Sequence, residues 1–351
     1  MRDLKFSEAI REAQSQMLAD DPNVLLMGLG VPGPTGIFGT SSGLQEQFGS
    51  DRVFDTPSSE NAMTGIALGA SVLGKRPIMV HMRVDFAVLS MEPIVNQAAK
   101  WHYMYGGKMR APIVIRMIIG RGWGQGPQHS QSLQAWFAHI PGLKVVMPAR
   151  PVDAKGMIIS AVRDDAPVII FEHRWLYNLS GPVPEEITPT PLEGAQVLRH
   201  GTDVTIAATS YMVIEALKAA EELQKIGVDA EVIDLRCLTP IDTDTLDVSL
   251  KKTGHLIVAD TGQEACGIAA EVISQAAQKS FASLKSAPKC VTLPHIPTPT
   301  SPALADHFYP DYRDLSIAAH SALDMRVPLP PNLPQESQWR DTPDPSFTGP
   351  Y

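Results

Sequence analysis

Alternation of short apolar runs with longer stretches of helical period predicts an α/β protein of two domains, a doubly wound, mostly parallel sheet followed by a smaller α/β domain. Three observations carry this. The runs 113–119, 144–147 and 168–171 are rich in Val, Ile and Met, as strands covered on both faces must be. A stiff interval at 182–192, with Pro182, Pro184, Pro189 and Pro191, breaks the alternation, which restarts at Val204. The 351 residues suffice for two cores. The expected layout is a first domain at 1–181, an exposed linker at 182–192, a second domain at 193–325, and a Pro-rich tail at 326–351, disordered or laid along a partner.

Taken in order, 6–18 repeats Ile10, Ala13 and Met17 at helical spacing and is stopped by Asp20, Asp21 and Pro22. A short strand at 24–27 runs into Gly28-Leu29-Gly30-Val31-Pro32-Gly33. This matches G-x-G-x-x-G formally, but Pro32 and Pro34 interrupt the helix that a dinucleotide site needs, so an ordinary loop is expected, leading to a helix at 43–48. After the stretch 56–74 come a strand at 77–82, a helix at 87–105 ended by Gly106 and Gly107, and the strand 113–119. Next, Gly120, Gly122, Gly124 and Gly126 alternate with Arg121, Trp123 and Gln125 and lead to His129, a pattern that brings backbone close to a ligand or forms a surface loop. His129 and Ser130 are neighbours, which is not how a hydrolase sets base and nucleophile, and no G-x-S-x-G is present. A strand at 144–147, a helix at 151–162 and a strand at 168–171 follow. Beyond the linker come strands at 204–208, 230–234 and 255–259 and helices at 212–225, 243–250 and 267–277.

The stretch 56–74 organises the first domain. Pro57, Ser58 and Ser59 read as a helix entry whose side-chain oxygens can cap the first backbone N–H groups, and Glu60 falls in the first turn. An acid there suits the helix dipole as well as it suits a site. Gly65 and Gly69 share one face, and Ala62, Ala67 and Ala70 are small, so a tightly embedded helix with its acid aimed inward is expected.

A net charge of −9 with no basic run argues against nucleic acid. The charged N-terminus and the lack of any long apolar run predict a cytoplasmic protein that does not enter a membrane. Cys237, Cys266 and Cys290 are too widely spaced for a zinc site or a disulfide framework.

The run R-V-F-D-T-P-S-S-E-N-A-M-T-G-I-A-L-G-A, with Q-H-S-Q-S-L-Q-A-W-F-A-H-I-P-G-L-K-V-V-M-P-A, E-V-I-D-L-R-C-L-T-P-I-D and A-D-T-G-Q-E-A-C-G-I-A-A-E, closely resembles the β subunit of thiamine-diphosphate-dependent 2-oxo acid dehydrogenases, in the transketolase-like superfamily. The resemblance spans 3–322. It implies that Glu60 bonds N1′ of the cofactor's aminopyrimidine and so activates the cofactor for oxidative decarboxylation, with acyl transfer to a lipoyl group on an acyltransferase. It further implies that Phe86 stacks on the pyrimidine, Met82 lines the same pocket, and His129 handles substrate and proton transfer. A potassium site of the family matches Ile113, Ala161, Val162 and Asp164, with Ala166 where the family has asparagine. No Gly-Asp-Gly magnesium segment occurs, so an α-type partner is expected to hold Mg²⁺ and the diphosphate in an α₂β₂ assembly. Arg83 stands where relatives carry a neutral residue, and Arg121 and Trp123 are bulkier than usual. These arginines either bind an anionic substrate or, for Arg83, pair with Asp85 or the partner. Half of a split transketolase, or a non-catalytic scaffold subunit, are the alternatives.

Overall fold

The computed structural model describes residues 1–120 and 124–324. Arg121, Trp123 and the 326–351 tail lie outside the described residues. The chain divides into two compact units, the first comprising Met1–Gly120 and His129–Leu192, the second the described residues 124–128 and 193–324.

The first unit runs β1 (Arg2–Lys5), α1 (Phe6–Asp20), β2 (Val24–Met27), α2 (Leu44–Phe48), β3 (Val53–Phe54), α3 (Glu60–Val72), β4 (Arg76–His81), α4 (Val84–Ala87), α5 (Ala99–Met104), β5 (Val114–Ile119), α6 (Gln134–Ala138), β6 (Lys144–Val146), α7 (Pro151–Arg163), β7 (Val168–His173) and β8 (Ser180–Val183). Its six-stranded sheet has the order β3-β2-β4-β5-β7-β6 and is parallel throughout. Register shows that both faces are covered. Val80 pairs with Arg116 and His81 with Met117, so Arg116 and His81 point to opposite faces. Arg116 bonds Gln14 of α1, whereas His81 bonds Thr64 of α3. The two helices therefore lie on opposite sides, which is why these strands are apolar almost without alternation.

The second unit runs β9 (Gln196–Arg199), β10 (Val204–Ala208), α8 (Tyr211–Gln224), β11 (Ala230–Asp234), α9 (Thr243–Thr253), β12 (Leu256–Gln263), α10 (Ile268–Ser280), β13 (Lys289–Leu293), α11 (Pro302–Ala305) and α12 (Tyr312–Ala322). The sheet order is β13-β12-β10-β11-β9, parallel except for β9, which lies antiparallel on β11.

Three expectations need correction. The strand before Met82 ends at His81, and helical structure resumes at Val84, so Met82 sits in a bend and Phe86 in a helix. From there to Met104 the chain is helical but not uniformly α. A 3₁₀ turn at Val88–Ser90 precedes a π-helical stretch at Glu92–Ala98, where Pro93, lacking an N–H, falls at the change of register. Ser59 precedes α3 without accepting a side-chain capping bond. Within this chain alone, α3 also has an open face: a methyl group on Gly65 or Gly69 would meet nothing within 4 Å, and Ile66 and the following Leu73 are exposed.

The 182–192 interval is fastened rather than free. It begins inside β8, which pairs antiparallel with β1. The buried Lys155 ammonium donates to the carbonyls of Pro184 (2.6 Å) and Glu186 (3.0 Å) and to Glu12 Oε1 (2.6 Å). Further on, Thr190 N donates to Gly156 O, and Ser160 Oγ donates to Thr190 O. A Pro-rich segment cannot form ladders of its own, so its carbonyls are met by side chains of α7.

Candidate functional site

In a parallel sheet the loops after adjacent strands converge at one edge, and ligands bind there. Loops after β2, β3, β4 and β5, with the end of β7, carry the residues singled out above. Backbone approaches closely at this rim. A Cβ on Gly28 would lie 2.4 Å from Val80 O, and one on Gly120, whose φ is +79°, would lie 2.1 Å from His173 Nε2. Asp55 ties two of these loops together, its Oδ1 accepting from Gly30 N and from Thr56 N, both at 2.8 Å.

Glu60 is the first residue of α3 and half-buried in this chain alone. Met82 and Phe86 are half-buried too, and a methyl on Gly30 would come within 3.8 Å of Met82 Sδ. The structure brings Phe86 and His129 together, ring centroids 5.4 Å apart and edge to face at 85°. Flanking this pair in sequence, Asp85 Oδ1 accepts from Gln131 Nε2 at 2.7 Å. Burial pushes the Asp85 carboxyl above the usual range, with the Gln131 bond and the Arg83 charge acting against it. Its Oδ2 is buried with no hydrogen-bond partner among the described residues.

Arg83 is buried and donates from Nη1 to Gly120 O at 3.2 Å, so it links the loops after β4 and β5. Its guanidinium lies 5.9 Å from the Phe38 ring, and that of Arg174 lies 4.3 Å from the same ring and 5.3 Å from Tyr177. Burial lowers the Arg174 pKa, against the effect of Tyr177. Sequence reading had no signal for Phe38, Asp55, Gln131 or Arg174, because each matters only through partners on another strand's loop. Arg121 lies outside the described residues.

The potassium-matched residues gather at the opposite edge of the sheet, beside the start of β5 and the end of α7. Ile113 O accepts from Val168 N at 2.9 Å, Ala161 O from Asp164 N at 3.3 Å, and Val162 O from Arg76 Nη1 at 2.9 Å. Asp164 accepts from Lys144 Nζ at 2.6 Å and Ala166 N at 2.8 Å on its carboxylate, and from Arg76 Nη1 at 2.9 Å on its carbonyl. A guanidinium and an ammonium thus already supply the charge that an alkali ion would bring.

The donors at the strand-end rim do fit the pyrimidine half of a cofactor: a half-buried carboxyl at Glu60, half-buried apolar surface at Met82 and Phe86, and a buried, unmet oxygen on Asp85. Comparison agrees with this fold. Residues 2–180 match the transketolase pyrimidine binding domain and 193–315 the transketolase C-terminal domain, so the chain belongs to the transketolase-like family. A solved split gene transketolase, an inactive β4 tetramer, shares the fold with a TM-score of 0.73 at 23% identity, over 92% of this chain and all of that one. Within that class, the chain is a member of the β subunits of thiamine-dependent 2-oxo acid dehydrogenases. It is 42% identical to the acetoin:2,6-dichlorophenolindophenol oxidoreductase subunit beta of Cupriavidus necator, over 92% of this chain and 98% of the relative. It is 39% identical to the pyruvate dehydrogenase E1 component subunit beta of Bacillus subtilis, over 92% of this chain and 100% of that one. Among the described residues no helix is long and apolar enough to cross a membrane.

Proposed function

We propose that this chain is the pyrimidine-side subunit of a thiamine-diphosphate-dependent enzyme that oxidatively decarboxylates a 2-oxo acid. Glu60 bonds N1′ of the aminopyrimidine and shares its proton there, Met82 and Phe86 flank the ring, and His129, steered by the Phe86 edge, meets the substrate. When bound, the cofactor supplies the carbon nucleophile and the electron sink for loss of carbon dioxide. An α-type subunit holds the diphosphate and Mg²⁺ in an α₂β₂ assembly, as the lack of a Gly-Asp-Gly segment requires, and the acyl group passes to a lipoyl arm. Arg83, buried and bonded to Gly120 O, shapes the rim rather than reaching outward to an anionic substrate. Cys237, Cys266 and Cys290 form no disulfide with one another.

The observation that supports this most is the position of Glu60, at the start of α3 on the strand-end rim shared by the Phe86–His129 pair. The test is Glu60→Gln in the complex with the α-type subunit, because the amide keeps shape and removes acidity. Carbon dioxide release from a panel of 2-oxo acids is expected to fall about 100-fold or more, while cofactor titration still shows binding. Undiminished release sinks the proposal, and ketol transfer to aldoses without carbon dioxide points to the split-transketolase alternative.

A further inference from the structure

Beneath the rim lies a buried polar chain that the roles above leave unused. Thr64, His81 and Ser90 are each no more than 3% exposed. Thr64 Oγ1 donates to Ser90 Oγ at 3.1 Å and lies 3.2 Å from His81 Nε2. Since the Thr64 proton is directed to Ser90, the imidazole donates from Nε2 to Thr64 Oγ1, which sets its tautomer. Burial lowers the His81 pKa to about 4, so the ring is neutral near pH 7 and the chain carries no charge.

Each member stands at a fixed offset from one proposed pocket residue. Thr64 is one helical turn beyond Glu60 on α3, hence on the same face. His81 is the last residue of β4 and immediately precedes Met82. Ser90 closes the 3₁₀ turn within the helical stretch that begins at Val84 and lies four residues beyond Phe86. The three elements are separated by 17 and 26 residues of sequence from Thr64 yet meet at one hydroxyl. Apolar side chains fill such a core without any demand on direction. An imidazole–hydroxyl–hydroxyl chain, with Thr64 at its centre, is tolerated only when each bond is made, so it holds α3, β4 and the helical stretch that begins at Val84 in a single register.

We propose that Thr64, His81 and Ser90 are positioning residues whose hydrogen-bond chain presets Glu60, Met82 and Phe86 for the aminopyrimidine. The inference rests on the proposed function for what the pocket receives, but the register itself is measurable without cofactor. The test uses the assembled complex with Thr64→Val, which keeps the shape, Thr64→Ser, which keeps the hydroxyl, and His81→Phe. Loss of one buried hydrogen bond is worth about tenfold in an equilibrium. Thr64→Val and His81→Phe are therefore expected to raise the thiamine diphosphate concentration for half-saturation about tenfold, with kcat at saturating cofactor changed far less, and Thr64→Ser to restore wild-type behaviour. In cofactor-free complex, amide hydrogen exchange over residues 63–67 is expected to accelerate about tenfold in Thr64→Val and not in Thr64→Ser. Wild-type half-saturation and exchange in both Thr64→Val and His81→Phe overturn the proposal, as does a Thr64→Ser as impaired as Thr64→Val, which points to volume rather than hydrogen bonding. Should Thr64→Val fail to fold, Ser90→Ala removes the same bond from its other end and is judged by the same two readouts. If Glu60→Gln leaves activity intact, the functional reading falls while the exchange measurement still decides this one.

Discussion

Glu172→Gln is expected to destabilise the first unit strongly, for reasons visible in the bonds it disturbs. Arg116 and Glu172 are wholly buried on neighbouring strands and meet through two bonds, Nε to Oε1 at 2.5 Å and Nη2 to Oε2 at 2.7 Å. Arg116 Nη1 also donates to Gln14 Oε1 at 2.6 Å, and Tyr177 OH donates to Glu172 Oε2 at 2.8 Å. Burial alone would lower the Arg116 pKa, yet the Glu172 carboxylate beside it leaves the net shift upward, so the guanidinium keeps its charge. Burial, then the Glu172 charge, pushes the Tyr177 hydroxyl well above its usual value and keeps it a donor. An amide in place of the carboxylate removes the counter-charge and sets an NH₂ against the guanidinium. Leaving a buried charge uncompensated costs about 3–5 kcal/mol. At about 2–4 °C per kcal/mol for a unit of this size, the first unit's melting temperature should fall by roughly 6–20 °C. Calorimetry at low and high salt measures it, and the loss should hardly depend on salt because the pair is shielded from ions. Arg116→Met with Glu172→Leu should recover most of it. A fall below about 2 °C, the scale of an exposed pair, would refute the reasoning.

Two further outcomes follow from other buried groups. Lys155→Met leaves Glu12 and the carbonyls of residues 184–186 without their shared donor, so cleavage at Glu185 and Glu186 by a glutamate-specific protease should accelerate at least about tenfold, while the second unit melts as before. His81 has a folded pKa near 4 against 6.5 in its ordinary state, so the unfolded chain takes the proton first as pH falls. Its contribution is whole above pH 6.5 and is lost as pH drops toward 4, by roughly 3 kcal/mol in all. Urea unfolding at a series of pH values should show this slope in the wild type and a flatter one in His81→Phe; equal slopes would exclude His81 as its source.

Near-neighbour chemistry made much of the chain legible in one dimension. The strands Val24–Met27, Val204–Ala208 and Ala230–Asp234 are bounded as their apolar runs and turn residues predict, because strand length and burial on both faces are written into consecutive side chains. The family blocks, and the match of Glu60 to an acid on the aminopyrimidine, were likewise available from sequence. Other features depended on partners far along the chain. The β1–β8 pairing escaped notice because both strands are short, partly exposed and without an apolar pattern. Arg116 interrupts an apolar strand and makes sense only once Glu172, 56 residues on, lies beside it. The small residues of α3 leave one of its faces open within this chain, since a glycine permits close approach but does not supply the neighbour. Sequence by itself determined the elements and their chemical types, for those follow from periodicity and local backbone preference. Only tertiary structure decided which buried charges find partners and which loops share an edge, because those contacts join residues that no local pattern connects.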